Sequence, residues 1–147
     1  MNINGDERVV LHFFVHQQPL SKKMGFSRSG NVVNYTSHKM KQFAAEAANH
    51  IPTDFNTNIG PVSLTVIAYF SRPCSDFKRQ TRALSHLRRH APTSYHFKPD
   101  CDNIAKFVGD ALTGIAFKDD QQVCDLVIRK RWTASPIGYY EIKIEYQ

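Results

Sequence analysis

A chain of 147 residues can hold one domain with a real core and is too short for two comfortable ones. Hydrophobic residues at 41% and charged residues at 22% describe an ordinary soluble globule, with no apolar run of the roughly 20 residues that a membrane-spanning helix needs. Three widely spaced cysteines (Cys74, Cys101, Cys124) without a CxxC argue against a disulfide framework or zinc ribbon, and a net charge of +6 points only weakly, by itself, to a polyanionic partner.

The first residues, MNINGDERVV, lack a charged-then-apolar signal pattern, so a reducing cytoplasm is the expected setting. Residues 8–16, RVVLHFFVH, are rich in β-branched and aromatic types and read as a strand. Residues 17–34 hold Pro19, Gly25 and Gly30, the composition of a basic loop or irregular hairpin. Met40, Phe43, Ala44, Ala47 and Ile51 recur at helical spacing, with Ser37 as the candidate N-cap and Pro52 as the stop. A loop then leads to PVSLTVIAYFS, residues 61–71, an apolar strand expected at the centre of its sheet.

From Ser75 to Arg89, Phe77, Thr81, Leu84 and Leu87 fit one face of a helix. Pro92 and Pro99 break regularity in APTSYHFKPD. A helix is expected from Asp102 to Leu112, where Ile104, Phe107, Val108, Ala111 and Leu112 form an apolar stripe. Asp102 suits its N-cap or first turn, and Gly114 its C-terminal stop. QVCDLVIRKRW, residues 122–132, alternates as a strand; ASPIG turns the chain, and YYEIKIEY, residues 139–146, is expected to pair with it. The order β-α-β-α-α-β-β predicts an α/β (α+β) fold. It is read as a single compact domain over residues 1–147, a mixed sheet of about four strands with helices packed on it.

Charge is unevenly placed along this frame. Arg72, Lys78, Arg79, Arg82, Arg88 and Arg89 face a single acid, Asp76, between Ser71 and His90. Lys22, Lys23 and Arg28 form a second basic group, and Arg129, Lys130 and Arg131 a third. Between them, KPDCDNIAKFVGDALTGIAFKDDQQV, residues 98–123, carries five aspartates. Crowded carboxylates raise one another's pKa unless a cation sits among them. Cations to hold phosphates around carboxylates to hold a metal is the layout a nuclease needs.

Asp100 and Asp102 precede the predicted helix; Asp119 and Asp120 follow it. About three helical turns, or ~16 Å, separate the two pairs. They meet only if the loop from Thr113 to Lys118 folds back along the helix, and three or four carboxylates would then suit Mg²⁺ or Mn²⁺. Lys106, one turn after Asp102, could contact a phosphate, or form an ion pair worth a few tenths of a kcal/mol. Asp110 reads as a partner of Lys106 or a cap. A solvated acidic surface with capping aspartates is the bland alternative, since DxD and DD pairs are individually weak signals. Cys101 is too soft for Mg²⁺ and is expected to point into packing. His86 and His90 share an i,i+4 spacing but lack a third zinc ligand.

Taken whole, the acidic stretch resembles the RusA family of Holliday junction resolvases. The resemblance lies in Lys98-Pro99-Asp100-Cys101-Asp102-Asn103 with Lys106, in Asp110-Ala111-Leu112 with Gly114, and in Asp119-Asp120 with Gln122-Val123. Pro19 and Lys22 resemble the family's P-x-x-K-x-R element, with Met24 in place of the arginine, and Thr113 stands where asparagine is common. The resemblance implies a homodimeric endonuclease that cuts four-way DNA junctions with Mg²⁺, Mn²⁺ substituting, in DNA recombination and repair, often in a prophage. It places the metal-binding aspartates on Asp100, Asp102 and Asp120, with Asp119 a further candidate, and the essential lysine on Lys106. Lys22, Lys23 and Arg28, the arginines and lysines of residues 72–89, and Lys98 are the expected DNA contacts. Two rival readings are a nuclease for other branched DNA and a junction-binding protein that no longer cuts.

Overall fold

The computed structural model describes residues 8–19, 24–26, 32–57, 60–73, 77–80, 83–87 and 93–147, with backbone alone at 24–26, 32–37, 77–80 and 83–87. In chain order these form β1 (Val10–Val15), β2 (Met24–Phe26), β3 (Val32–Asn34), α1 (Tyr35–Ala48), β4 (Val62–Ser71), β5 (Phe77–Gln80), β6 (Ala83–Leu87), α2 (Cys101–Leu112), β7 (Val123–Thr133) and β8 (Tyr139–Tyr146). A 3-10 turn, Asp120–Gln122, leads into β7.

β4 alternates in burial along its whole length: Val62, Leu64, Val66, Ala68 and Phe70 are buried, and the residues between them are half-buried. It lies inside a mixed four-stranded sheet of order β1-β8-β4-β7, antiparallel to β8 and parallel to β7. A parallel neighbour needs a long crossover, and the chain between β4 and β7 carries the β5–β6 hairpin and α2. Both helices cover the face of Leu64, Val66 and Ala68. Phe43 of α1 meets Phe107 of α2 at 5.6 Å and Tyr140 of β8 at 5.1 Å, both edge-on. The fold is therefore the α+β class read from the pattern of elements.

Three local expectations are corrected. β8 does not pair with β7; it lies between β1 and β4. Its Tyr140, Ile142, Ile144 and Tyr146 are all buried, which suits an interior strand, whereas Leu126 and Val127 of β7 are 50% and 39% exposed, as an edge permits. Residues 75–89 contain no described helix: Phe77 pairs with Leu87, Lys78 with His86 and Gln80 with Ala83 in an antiparallel hairpin. Their few apolar positions are too sparse for a helical packing face, and pairing between neighbouring segments forms a local ladder instead. α1 begins at Tyr35, so Ser37 lies inside it; Asn34, a favoured capping type, immediately precedes it.

Candidate active site

α2 sets the site. Its stripe of Ile104, Phe107, Val108, Ala111 and Leu112 is buried as predicted, which turns Asp102, Lys106 and Asp110, spaced i, i+4, i+8, toward solvent. The N-cap residue is Asp100, extended at φ −72° and ψ 156°, and its carboxylate makes no capping hydrogen bond. Asp102 stands in the first turn, where a negative charge is favoured by the helix dipole. The loop before Asp100 contains a cis Lys98–Pro99 bond. It is tied to β7 by Lys130, whose Nζ donates to the Phe97 carbonyl at 2.7 Å and the Pro99 carbonyl at 2.9 Å.

The second acidic group stands at the other end of the helix. Gly114, at φ +88°, turns the chain, and its amide donates to the Phe117 carbonyl at 2.7 Å. Asp119 then caps the 3-10 turn: its Oδ1 accepts the Gln121 amide at 3.1 Å, and Gln122 Oε1 accepts the Asp119 amide at 3.1 Å. Gln122 Nε2 donates onward to the carbonyls of Thr57 and Gly60. The Gln121 amide, and next the hydrogen bond shared with Asp120, hold the Asp119 carboxyl below the usual carboxylate range. Asp120 is pushed the other way, first by that shared bond, then by desolvation and the charges of Asp119 and Asp110. The two neighbouring carboxyls are therefore shifted in opposite directions. Asp110 acts on Asp120, and no ion pair between Asp110 and Lys106 is present.

Asp100 and Asp102 accordingly mark one end of α2, and Asp110, Asp119 and Asp120 the other. Twelve residues of helix span about 18 Å. The turn from Thr113 to Lys118 closes tightly on itself and delivers Asp120 beside Asp110. Among the described residues, no three His, Cys, Asp or Glu side chains stand close enough together to hold a metal ion. In chemistry the donors fit a hard divalent cation, being all carboxylate oxygen, with Asp119 and Asp120 adjacent in the chain. In position, one chain divides them.

Of the expected DNA contacts, Lys22, Lys23, Arg28, Arg82, Arg88 and Arg89 lie outside the described residues, as does His90, and Lys78 and Arg79 are described in backbone only. Arg72 lays its guanidinium 5.9 Å from the Trp132 ring centre. Lys98 is exposed, three residues after Tyr95, whose hydroxyl donates to the Lys98 carbonyl at 2.7 Å. Cys101, expected in packing, is exposed. Gln122, Tyr95 and Lys130 were not singled out as site residues. The spacing D-x-x-Q from Asp119 to Gln122 is a capping-box pattern that points to Gln122; nothing in the sequence distinguishes Lys130 from the arginines on either side of it.

An α+β domain with carboxylates at both ends of one exposed helix face, all-oxygen donors and a lysine between them defines a class suited to phosphate chemistry with a hard cation. The family model described as Endodeoxyribonuclease RusA matches residues 17–145. The chain is 36% identical over 135 residues to the uncharacterized protein YqaN of Bacillus subtilis (strain 168), a match covering 86% of this chain and 90% of that one. The chain belongs to the RusA endodeoxyribonuclease family.

Proposed function

We propose that the chain is a single RusA-like endonuclease domain over residues 1–147 that resolves Holliday junctions by paired symmetric nicks. It works as a homodimer, with Mg²⁺ or in its place Mn²⁺, in DNA recombination and repair. A cytoplasmic, prophage-borne setting accompanies this reading. The observation that carries it is the family's acidic motif laid out on α2, with Asp100 uncapped at one end, Asp120 at the other and Lys106 exposed between them.

Asp100, Asp102 and Asp120 would hold the metal, with Asp119 beside them. When bound, the ion supplies a water of lowered pKa and positive charge opposite the scissile phosphate. Lys106 stabilises charge developing on that phosphate. The basic residues around α2 bind the junction arms chiefly by charge, so affinity falls steeply with salt.

The edge of β7 supports the dimer. Cys124 is the extra residue of a bulge between the register pairs Val62–Val123 and Ser63–Asp125. Further along, the Tyr95 amide donates to the Lys130 carbonyl at 3.2 Å, and the Trp132 amide donates to the Thr93 carbonyl at 2.9 Å. Between bulge and cover, residues 125–129 have no strand partner on their outer side among the described residues. They read Asp-Leu-Val-Ile-Arg, antisymmetric in charge about an apolar centre. A two-fold axis at Val127 sets Asp125 against Arg129 of the partner subunit and Leu126 against Ile128 of the partner subunit. The same axis brings Lys130, and with it the Asp100 loop, toward Cys124 of the partner subunit and the Asp120 turn just ahead of it. Each composite site then draws Asp100 and Asp102 from one chain and Asp120 from the other.

The test is an Asp102→Asn variant with four-way junction, fork and duplex substrates in Mg²⁺ and in EDTA. Junction binding kept and nicking lost is the expected result. Nicking at the wild-type rate would remove Asp102 from the site; equal cleavage of forks would widen the substrate to branched DNA in general.

A further inference from the structure

We infer that Lys130 is a positioning residue for the Asp100 carboxylate, acting through the backbone that leads into α2. The inference rests on the reading of Asp100 as a metal ligand. A carboxylate that makes no capping hydrogen bond has its place set by the backbone that carries it. That backbone is held at every carbonyl. Lys130 Nζ donates to the Phe97 carbonyl at 2.7 Å and the Pro99 carbonyl at 2.9 Å, and the Tyr95 hydroxyl donates to the Lys98 carbonyl at 2.7 Å. The Asp100 carbonyl accepts the Ile104 amide at 3.2 Å, the first bond of α2. Four consecutive carbonyls therefore have partners, and two of the four share one ammonium.

The clamp itself is anchored in the sheet. The Tyr95 ring stacks flat on Phe70 of β4, with centroids 3.7 Å apart and planes 5° apart. Lys130 Nζ lies 5.5 Å from the centre of that same ring. Burial raises the Tyr95 hydroxyl's pKa, and the hydroxyl donates to the Lys98 carbonyl. Two of the three ammonium hydrogens are committed to carbonyls and the charge is turned onto a ring, so Lys130 is spent inside the fold. A phosphate contact would need the opposite arrangement, an ammonium free on the surface. A ligand shell must be held to within about 0.5 Å to bind its ion well. Lys130 provides that hold from β7, a strand paired along its length with β4.

Trp132, the single tryptophan, sits 4.7 Å from Tyr95 and 6.3 Å from Phe97 and reports on the clamp. Mg²⁺ is titrated alone into the full chain while Trp132 emission is followed, and junction binding is measured separately in EDTA. Lys130→Met should keep its circular dichroism and its EDTA junction affinity, yet need about 10–100-fold more Mg²⁺ for half-maximal response, the usual effect of losing a group behind a ligand. Lys130→Arg, still able to donate twice, should recover most of the loss. Tyr95→Phe, which removes one carbonyl bond and keeps the ring, should shift the midpoint in the same direction by less, and it serves if Lys130→Met does not fold. A Mg²⁺ midpoint unchanged by both substitutions overturns the inference. So does loss of EDTA junction binding in Lys130→Met, which makes Lys130 a phosphate contact. If the unmodified chain neither responds to Mg²⁺ nor nicks DNA, the metal-nuclease reading itself falls; if it does both and the variants match it, only the positioning role falls.

Discussion

Gln122 and Asp119 close a reciprocal cap: Gln122 Oε1 accepts the Asp119 amide while the Asp119 carboxylate serves the amides of the same turn. The adjacent aspartates are therefore unequal. Asp119 is the N-cap of the turn and is held low in pKa, whereas Asp120 is raised, its bond from the Gln121 amide outweighed by the bond to Asp119, desolvation and the neighbouring charges. Asp119→Asn keeps an acceptor oxygen for the cap and should keep junction cleavage within a few-fold. Asp119→Ala should lower stability as a lost cap, read as a lower Tm. Asp120→Asn should leave Tm near wild type and abolish nicking. Equal loss of nicking in Asp119→Asn and Asp120→Asn would make both residues ligands.

Gly109 is buried within α2, and a Cβ built on it meets nothing within 4 Å. Glycine costs a helix interior about 1 kcal/mol relative to alanine, so Gly109→Ala should raise stability by about that much, measured by denaturant melts. Gly138 is the control. A Cβ there would strike the Tyr69 carbonyl, Gln18 Oε1 and the Pro19 ring, and Gly138→Ala should destabilise by about 1–3 kcal/mol.

Tyr146 ties the turn ahead of Asp119 to the sheet: its buried hydroxyl donates to the Ala116 carbonyl at 2.8 Å. Burial pushes its pKa up, and burial followed by the Glu141 hydrogen bond pushes Tyr69 to about 12. A raised folded-state pKa means that the folded chain keeps the proton longer than the unfolded chain. The contribution is fully present below the unfolded value of about 10 and is lost as pH rises above it. Thermal melts should therefore lose Tm from about pH 10 upward. Tyr146→Phe should lower Tm at neutral pH by leaving a buried carbonyl without its donor, about 1–3 kcal/mol, and should weaken the alkaline fall. An alkaline profile identical to wild type would assign that fall to other tyrosines.

The parts of this molecule legible in its sequence are those governed by one short period. β4 and β8 alternate cleanly, and α2 keeps its apolar stripe at i, i+3, i+4, so strand, helix and the exposure of Asp102 and Lys106 follow directly. Residues 77–87 carry too few apolar side chains to separate a helical from a strand period, and the hairpin was settled by pairing. The place of β8 depends on which strands compete for the interior, a comparison between segments that no window contains. The helix rise sets the length of α2 between Asp100 and Gly114, but whether Asp120 returns toward Asp100 is decided by the turn, whose backbone bonds go to Phe117 and Leu112. Lys130 read as surface charge because its partners are carbonyls, which leave no mark on composition.

A divided donor set makes a prediction about mixtures that a self-contained site does not. If Asp100 and Asp102 of one chain work with Asp120 of the partner, Asp102→Asn and Asp120→Asn homodimers are each dead, because every site has one defect. In a mixed dimer both defects fall into one composite site and the other is intact. Random re-pairing of equal amounts makes half the dimers mixed, each with one working site, so about a quarter of wild-type nicking should return. Sites contained within single chains would return none, since each chain keeps its own defect. The register is checked independently by Val127→Cys. At a two-fold axis through a non-hydrogen-bonded pair the two Cα atoms stand about 4.5 Å apart, within disulfide range. Mild oxidation should therefore link the variant into covalent dimers. Native Cys124, six strand positions out of step with its own copy and so roughly 20 Å from it, should not cross-link. Returned activity with no cross-link at Val127 would keep the shared site and move the interface elsewhere; a cross-link with no returned activity would keep the interface and return all the ligands to one chain.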